Sequence, residues 1–466
     1  MDATQRLAEF THRLTLADLP ASTVDACGRL ALDTVGVGLA AWNAPGVREL
    51  RELSVGWSRG PSRLWVTGER VAPPTATLVN SSMAHALEYD DIHSDLPMHL
   101  GVVVLPAVLA VADARPGATG ADAAAAIVAG CEVLCRMARA TRGYRGQAGF
   151  RGWNPTAVVA GFAAATAAAR MLGLDAEGTQ RAMGLSYAQA SGNQQCIHDG
   201  GLVKRMQPGL VAEAGVRAAY MAAAGITGAV NAMEGKHGFF HLYEQGEYDA
   251  EVLTADLGSR FEIDRVGFKR YPTCAMTHPG IDAVLDLKAE AGFTAADVES
   301  VEVYGSAFVT GMVGRPYEPG DNPQVAAQFS LGYTVATALL TGNVRLVDLD
   351  PSRTLDPERR KLASRVTVIQ DDRLTGRWST RVVVTLRGGR RLERSLEVSR
   401  GRADQPLSTD ELIAKFRDCA AAAGPTFSTD RVDRLVELLL GLPRLGSLEP
   451  LGEALAPAPA ARRASA

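Results

Sequence analysis

Two long alanine-rich segments constrain the fold of this chain more than any other feature. Residues 121–141 and 156–172 carry apolar side chains at helical spacing, with almost none of the alternation that predicts strands. Because small side chains let helices approach closely, these segments predict a buried helix bundle. The same pattern runs from about Leu14 to Leu257. The first half of the chain is therefore predicted to be a large all-helical domain.

The pattern changes near Asp264. Residues 298–305, 365–369 and 380–386 alternate with the strand period, and the last segment runs into the hairpin-type turn 387–390. Residues 279–291 and 324–340 are predicted to be helices between these strands. Helical pattern returns at 408–423, where Ser408 is predicted to cap the helix together with Glu411, and again at 428–440.

These segments predict a mainly α fold, in which a large all-helical domain is interrupted by a smaller α+β lid domain. At 466 residues the chain exceeds what one hydrophobic core usually supports. The predicted boundaries are 1–265 for the first part of the helical domain, 266–402 for the lid domain and 403–455 for C-terminal helices that rejoin the first domain. The low-complexity segment 456–466 is predicted to be a disordered tail.

Composition excludes several classes of function. A net charge of −4 and a pI near 6.1 give no basic surface for nucleic acid. No apolar run reaches membrane-spanning length without polar interruption, and the first residues lack the layout of a signal peptide. Six cysteines without paired spacing favour a reducing compartment over a disulfide framework. We therefore expect a cytoplasmic protein with no nucleic-acid or membrane partner.

Titratable side chains are concentrated in one stretch, residues 80–106, between two apolar runs. It contains three histidines and four acidic residues: His85, Glu88, Asp90, Asp91, His93, Asp95 and His99. Imidazoles and carboxylates that converge on one loop are the groups that acid/base chemistry on a carboxylate substrate needs. Alternatively, the charges solvate a surface loop and His85 is a hydrogen-bonded core histidine. Local features leave both interpretations open.

The same stretch predicts two helices joined by a loop. A short helix is predicted from about Met83, capped by a preceding serine, with His85 and Glu88 on one face and residues 90 and 91 pointing elsewhere. A polar loop containing a proline separates it from a second, apolar helix. His99 is thereby placed just before a helix N-terminus, where N–H groups and the helix dipole favour an anion.

Several motifs, in order along the chain, resemble the MmgE/PrpD family, which includes 2-methylcitrate dehydratases, cis-aconitate decarboxylases and an iminodisuccinate epimerase. The matching segments are LALDTVGVGLA (30–40), HALEYDD (85–91), HLGVVVLPAVLAVA (99–112), GWNPTAVVAGFAAATAAARMLGL (152–174), ASGNQ (190–194), KRMQPGLVAEAGVRAA (204–219), FKRYPTCAMTHPGIDA (268–283) and QFSLGYTVATALLTG (328–342). The resemblance covers most of the chain. It implies a helical domain with an α+β lid domain, usually in a homodimer.

The resemblance also implies roles for individual residues. The loop histidine that follows the acidic motif, the candidate for proton transfer, falls on His99. The acid that opens the motif falls on Glu88, and its final aspartate falls on Asp91. Two family lysines fall on Lys204 and Lys269, where they would hold substrate carboxylates and stabilise charge that develops beside a carboxylate. The predicted catalytic residues are therefore His99, Lys204, Lys269 and Asp91, with Glu88 assigned to substrate binding.

Other positions depart from the family pattern. Ile92 stands where threonine is common, Asn154 and Gln207 stand where histidines occur, and Cys274 stands where aconitate decarboxylases have a histidine. The two amides can hold a carboxylate but cannot shuttle protons. We expect these four residues, together with Arg205 in the glycine-flanked loop of Lys204, to contact the substrate.

The sequence thus predicts a cofactor-independent lyase, a dehydratase or a decarboxylase, that acts on a small di- or tricarboxylate by proton transfer next to a carboxylate. No metal or organic cofactor is expected. An epimerase or isomerase of a carboxylated small molecule is one alternative, and a catalytically degenerate carboxylate-binding protein is another. A metal hydrolase is less favoured, because the histidines and acids of residues 85–99 fit no compact metal-binding signature.

Overall fold

The computed structural model describes residues 1–142, 152–374, 376 and 378–456. The chain forms two compact units: the first takes in Met1–Val266 and the residues from Ser408 onwards, and the second is Gly267–Leu407. All but the first residue of the predicted tail, 456–466, lies outside the described residues. Within them the protein is mainly helical, with a small mixed sheet towards the C-terminus, so the predicted fold class is confirmed.

Among the described residues, the helices in chain order are α1 Ala3–Arg13, α2 Ala21–Ala40, α3 Val47–Trp57, α4 Pro73–His85, α5 Gly101–Asp113, α6 Gly120–Ala140, α7 Pro155–Leu172, α8 Ala176–Tyr187, α9 Gln195–His198, α10 Gln207–Ala223, α11 Phe239–Tyr243, α12 His278–Ala291, α13 Ala307–Val313, α14 Pro323–Gln328, α15 Leu331–Thr341, α16 Pro351–Thr354, α17 Pro357–Ala363, α18 Thr409–Ala422, α19 Thr429–Leu440 and α20 Glu449–Leu455. The strands are β1 Ser62–Arg63, β2 Arg70–Val71, β3 Ile92–His93, β4 Val266–Gly267, β5 Val298–Gly305, β6 Val366–Gln370, β7 Thr380–Leu386 and β8 Arg391–Leu396.

The alanine-rich helices form the centre of the first unit. α7 packs against α6 on one side and α10 on the other. Although α7 has the length and apolar composition of a membrane span, 83% of it is buried inside the protein, as expected for a core helix. A Cβ atom added to Gly215 of α10 would lie 2.5 Å from the carbonyl oxygen of Gly161 in α7. The two backbones thus meet where neither helix has a side chain, which confirms the predicted buried bundle.

The second unit contains a four-stranded sheet in the order β6-β5-β7-β8. β5 pairs in parallel with β6 and antiparallel with β7, while β7 and β8 form a hairpin. Its turn contains Gly388 and Gly389, both with positive φ, as the glycine pair predicts. The inward-facing valines of β5 and β7 form a core with apolar residues of α12 and α15.

In the second unit, α12 agrees with the helix predicted over 279–291, but another predicted helix is interrupted. The single helix predicted over 324–340 is wrong, because α14 ends at Gln328 and α15 begins at Leu331. The Ser330 side chain accepts a hydrogen bond from the backbone N–H of Tyr333, 3.1 Å away, and so caps α15. A serine cap inside an apolar run can start a new helix while the spacing of the apolar residues continues. The hydrophobic pattern therefore gives no sign of the break between α14 and α15.

The contact between α7 and α10 gives a stability prediction. Gly215→Ala should lower the free energy of unfolding by about 1–3 kcal/mol, because the added methyl group forces two backbones apart. Gly56→Ala in α3 is the matched control, since a Cβ there meets nothing within 4 Å. That control should be neutral or stabilising by up to about 1 kcal/mol. Urea unfolding monitored by circular dichroism measures both; equal stability of the two variants would contradict the close approach.

Candidate active site

The chain around the acidic motif follows a path that differs from the sequence prediction. α4 begins at Pro73 and ends at His85, so the helix predicted from about Met83, with His85 and Glu88 on one face, is wrong. The serines predicted to cap it lie inside α4, where the Ser82 hydroxyl donates to the Leu78 carbonyl at 2.8 Å. Beyond α4, Glu88 adopts a left-handed conformation with φ of 52°. This turn redirects the residues that follow.

The turn places the Asp90 carboxylate between two imidazoles. Its Oδ2 atom lies 2.8 Å from Nδ1 of His85 and 2.8 Å from Nδ1 of His99. The two rings meet edge to face, with centroids 4.9 Å apart. The Asp90 side chain is fully buried, His85 is 2% exposed and His99 is 15% exposed. The sequence pattern does not single out Asp90 and His85, because a continuous helix would point Asp90 away from His85.

Hydrogen-bond partners determine which ring nitrogens carry protons. Nδ1 of His99 also lies 2.7 Å from the Asp91 carbonyl oxygen, which can only accept, so this nitrogen carries the hydrogen. Nε2 of His85 lies 3.1 Å from the Lys204 ammonium, which can only donate. His85 therefore accepts at Nε2 and donates from Nδ1 to Asp90. Burial, and then the charge of Lys204, lowers the pKa of His85 from 6.5 to about 3, which keeps the ring neutral.

Lys204 forms a second pair at the same site. Its ammonium donates to the Glu88 carboxylate as well as to His85. Glu88 is 7% exposed and Lys204 is 14% exposed, so this ion pair is largely removed from water. Two residues predicted from the resemblance, Glu88 and Lys204, are thus brought together beside the two imidazoles and Asp90.

The Asp91 carboxylate occupies the N-terminus of α5. It accepts hydrogen bonds from the backbone N–H groups of Leu100, at 2.7 Å, and Gly101, at 2.9 Å. The helix end does lie next to His99, but the anion bound there is a side chain of the protein itself. Burial, together with the adjacent Asp90, raises the pKa of Asp91 to about 7. The His99 backbone N–H donates to the Thr156 hydroxyl at 3.2 Å, which ties this loop to the start of α7.

The two predicted amide residues both bind backbone. The Asn154 side chain caps α7 by accepting from the Ala157 N–H at 3.2 Å. The Gln207 side chain accepts from the Asn193 N–H at 2.7 Å and donates to the Asn193 carbonyl at 2.9 Å. It also donates to Sγ of Cys196 at 2.7 Å. These amides hold the segments around the site in place, and their predicted contact with substrate stays a prediction.

The remaining predicted residues are all buried. Arg205 is buried and donates to the Pro45 carbonyl at 2.9 Å, and burial lowers its pKa to about 10. Ile92 is buried in β3. Lys269 and Cys274 are buried residues of the second unit, where the Cys274 N–H donates to the Gln328 carbonyl at 2.9 Å. Substrate contacts of these four residues stay predictions.

Two groups of described side chains contain metal-ligand types, His85–Asp90–His99 and His93–Cys135–Glu262. In the first group, both Nδ1 atoms carry hydrogens, which His85 donates to Asp90 and His99 donates to the Asp91 carbonyl, so a cation would have to displace two protons. In the second, Glu262 already accepts from Arg139 at 2.7 Å and Arg260 at 2.6 Å, besides its bond to His93. Neither arrangement matches a preformed metal site, in which the ligand lone pairs face one point.

The geometry brings together groups that are able to transfer protons and to bind an anion. A neutral, buried imidazole and a more exposed one share a carboxylate, and a lysine ammonium lies against the first ring. Such a set can orient an imidazole for proton transfer and can attract a negatively charged ligand. The fold and the site define a mainly helical protein with acid/base groups in the segment between the buried helices α4 and α5.

The chain belongs to the MmgE/PrpD family. The model of the MmgE/PrpD N-terminal domain matches residues 5–251 and that of the C-terminal domain matches residues 271–441, which confirms the resemblance. A protein named cis-aconitate decarboxylase from Aspergillus terreus is 26% identical over 474 aligned positions, which cover 97% of this chain and 95% of that protein. The human protein of the same name is also 26% identical, over 94% of this chain and 91% of its own length.

The low pKa of His85 predicts a pH-dependent contribution to stability. In the unfolded chain, His85 takes up a proton as the pH falls below its ordinary pKa of 6.5. In the folded protein, the ring stays neutral until about pH 3. The stability that this residue contributes is therefore complete above pH 6.5 and is lost as the pH falls towards 3. The difference in unfolding free energy between the wild type and His85→Asn should shrink as the pH falls from 7 to 4. Urea titrations at several pH values measure this; a difference independent of pH would contradict it.

Proposed function

We propose that this protein is a cofactor-independent lyase, a dehydratase or a decarboxylase, that acts on a small di- or tricarboxylate by proton transfer at a carbon next to a carboxylate. The observation that carries the proposal is the Asp90 carboxylate bonded to His85 and His99, with the Lys204 ammonium alongside. The names of the two relatives favour decarboxylation as the first reaction to test.

His99 is proposed to transfer the proton. It is the more exposed of the two imidazoles, and its Nδ1–H is held by Asp90 and the Asp91 carbonyl. Nε2, on the other side of the ring, is then the nitrogen that exchanges a proton with the substrate. Asp90 holds the tautomer and compensates the charge that the ring acquires on protonation, as a carboxylate does for the histidine of a hydrolase triad.

Lys204 is proposed to bind a substrate carboxylate. Its ammonium contacts His85, whose ring meets that of His99, and the ammonium already holds one carboxylate, that of Glu88. A cation at this position stabilises the negative charge that develops when the carbon next to that carboxylate gains an electron pair. Lys269, a buried lysine of the second unit, stays the predicted partner for a further substrate carboxylate.

His99 acts as an acid in one of the two lyase reactions and first as a base in the other. In decarboxylation, the bond between carbon and carboxylate breaks, carbon dioxide leaves, and the electron pair that stays on carbon takes a proton from His99. In dehydration, His99 removes the proton next to the carboxylate, and the hydroxide that leaves from the neighbouring carbon takes this proton from His99 to form water. In both reactions negative charge develops on a carbon and is stabilised by a carboxylate that stays on the substrate, so one site can serve either reaction.

His99→Gln should lower turnover at least about 100-fold, since positioned acid/base groups contribute on the order of 10²–10⁴ in rate. The assay is proton NMR in deuterated water with citrate, 2-methylcitrate, cis-aconitate and aspartate-derived imines. The matched control is His12→Gln on the exposed side of α1, which should retain wild-type rates. A His99→Gln protein with normal unfolding and near-normal turnover would remove this residue from the mechanism.

The same spectra separate the reaction classes for the wild type. Loss of water or carbon dioxide identifies the lyase type. Exchange of one C–H for deuterium without net loss would favour the epimerase. A ligand-induced rise of the melting temperature without any turnover would favour a carboxylate-binding protein and overturn the proposal.

Substitution of Lys204 should weaken carboxylate binding. Lys204→Met alone leaves Glu88 buried without its ammonium partner, and breaking a buried pair costs about 3–5 kcal/mol in stability. The double variant Glu88→Gln/Lys204→Met removes both charges and should fold better than the single variant. Its Kd for cis-aconitate, measured by calorimetry, should be at least about tenfold higher than that of Glu88→Gln, as expected for loss of one charge-assisted hydrogen bond. Equal affinities would exclude Lys204 as the carboxylate-binding residue.

A further inference from the structure

A second buried lysine reaches the acidic motif from the C-terminal part of the first unit. Lys415 lies on α18 and its side chain is 5% exposed. Its ammonium donates to the Asp33 carboxylate of α2 at 2.6 Å and to the backbone carbonyl of Tyr89 at 2.7 Å. It also lies 4.0 Å from the centroid of the Tyr89 ring. Three distant parts of the sequence thus meet at one ammonium group.

The bond to Tyr89 falls between the left-handed turn and the bridging carboxylate. Glu88, the residue before Tyr89, has a positive φ. A residue other than glycine keeps this backbone conformation when the surrounding structure enforces it. Asp90, the residue after, supplies the carboxylate shared by the two imidazoles. The backbone at Tyr89 therefore determines where the Asp90 carboxylate lies.

Two lysines hold this turn from different elements. Lys204, just before α10, binds the side chain of Glu88, and Lys415 on α18 binds the backbone of Tyr89. α18 is itself closely packed on α2, since a Cβ atom at Gly36 would lie 2.8 Å from the ring of Phe416. Lys415 is thus anchored by the helix pair as well as by Asp33.

We propose that Lys415 is a positioning residue of the active site, which holds the Tyr89 carbonyl and thereby sets the Asp90 carboxylate between His85 and His99. Its bond to the Tyr89 carbonyl acts through the backbone of the turn. Its effect on catalysis rests on the function proposed above, whereas its effect on the geometry of the two imidazoles does not.

Two variants distinguish the positioning role of Lys415 from simple charge pairing with Asp33. Lys415→Met removes the donor to Tyr89 and also leaves the Asp33 carboxylate without its cation. The double variant Asp33→Asn/Lys415→Met removes the buried negative charge as well, so it should recover folding stability while the donor to Tyr89 is still missing. If the single variant does not fold, the double variant carries the test.

The experiment combines kinetics with proton NMR of the full-length protein. In the double variant, kcat should fall about tenfold or more with KM changed less than threefold, since a displacement near 1 Å can cost on the order of 100-fold in rate. The low-field resonances of the Nδ1–H groups of His85 and His99, assigned through His85→Asn and His99→Gln, should shift or broaden. Lys361→Met, an exposed lysine of α17, is the matched control and should leave both readouts unchanged.

The outcomes are distinct. Unchanged kcat and unchanged imidazole resonances in the folded double variant would overturn the positioning role. Shifted resonances in a protein whose wild type converts none of the carboxylates would support the positioning role and reject the proposed function instead. A parallel loss of kcat and of folded protein, with the remaining folded fraction fully active, would show that Lys415 serves stability alone.

Discussion

A carboxylate loses its hydration free energy when it is buried, and it must regain that free energy through interactions with the protein. The structure of the site depends on the groups that interact with Asp90. The cost of desolvating such a charge is several kcal/mol. Asp90 recovers it from the Nδ1–H groups of His85, at the end of α4, and His99, just before α5. The same two bonds therefore stabilise the carboxylate, select the tautomers of both rings and join the two ends of the loop.

The other charges of the motif are compensated in the same way. Glu88 is paired with Lys204, Asp33 with Lys415, and Asp91 with two backbone N–H groups of α5. Lys415 lies on α18, Lys204 lies just before α10 and the N–H groups begin α5, so the packing of the helices sets the positions of these partners. Such preorganisation is what makes electrostatic stabilisation effective, because no reorganisation is needed during the reaction.

Several features were predictable from the sequence because they depend on local pattern. Alanine-rich helical spacing over 156–172 predicted α7, and a serine followed three residues later by glutamate predicted the start of α18, where Ser408 and Glu411 form a capping box. The glycine pair 388–389 predicted the hairpin turn. The candidate site was located because His99, Glu88, Asp91 and Lys204 fall on motif positions of a family that the chain resembles.

What the sequence by itself determined is the helical character of the first unit, the combination of strands and helices in the second and the short stretch that carries the titratable groups. Only the tertiary structure decided which of those groups meet. Helical spacing placed Asp90 on the wrong side of His85, because the left-handed turn at Glu88 is held by Lys204 and Lys415, which lie 116 and 327 residues further along the chain. A conformation enforced by such distant partners leaves no local pattern, so it becomes visible only when the helices that carry them are packed together.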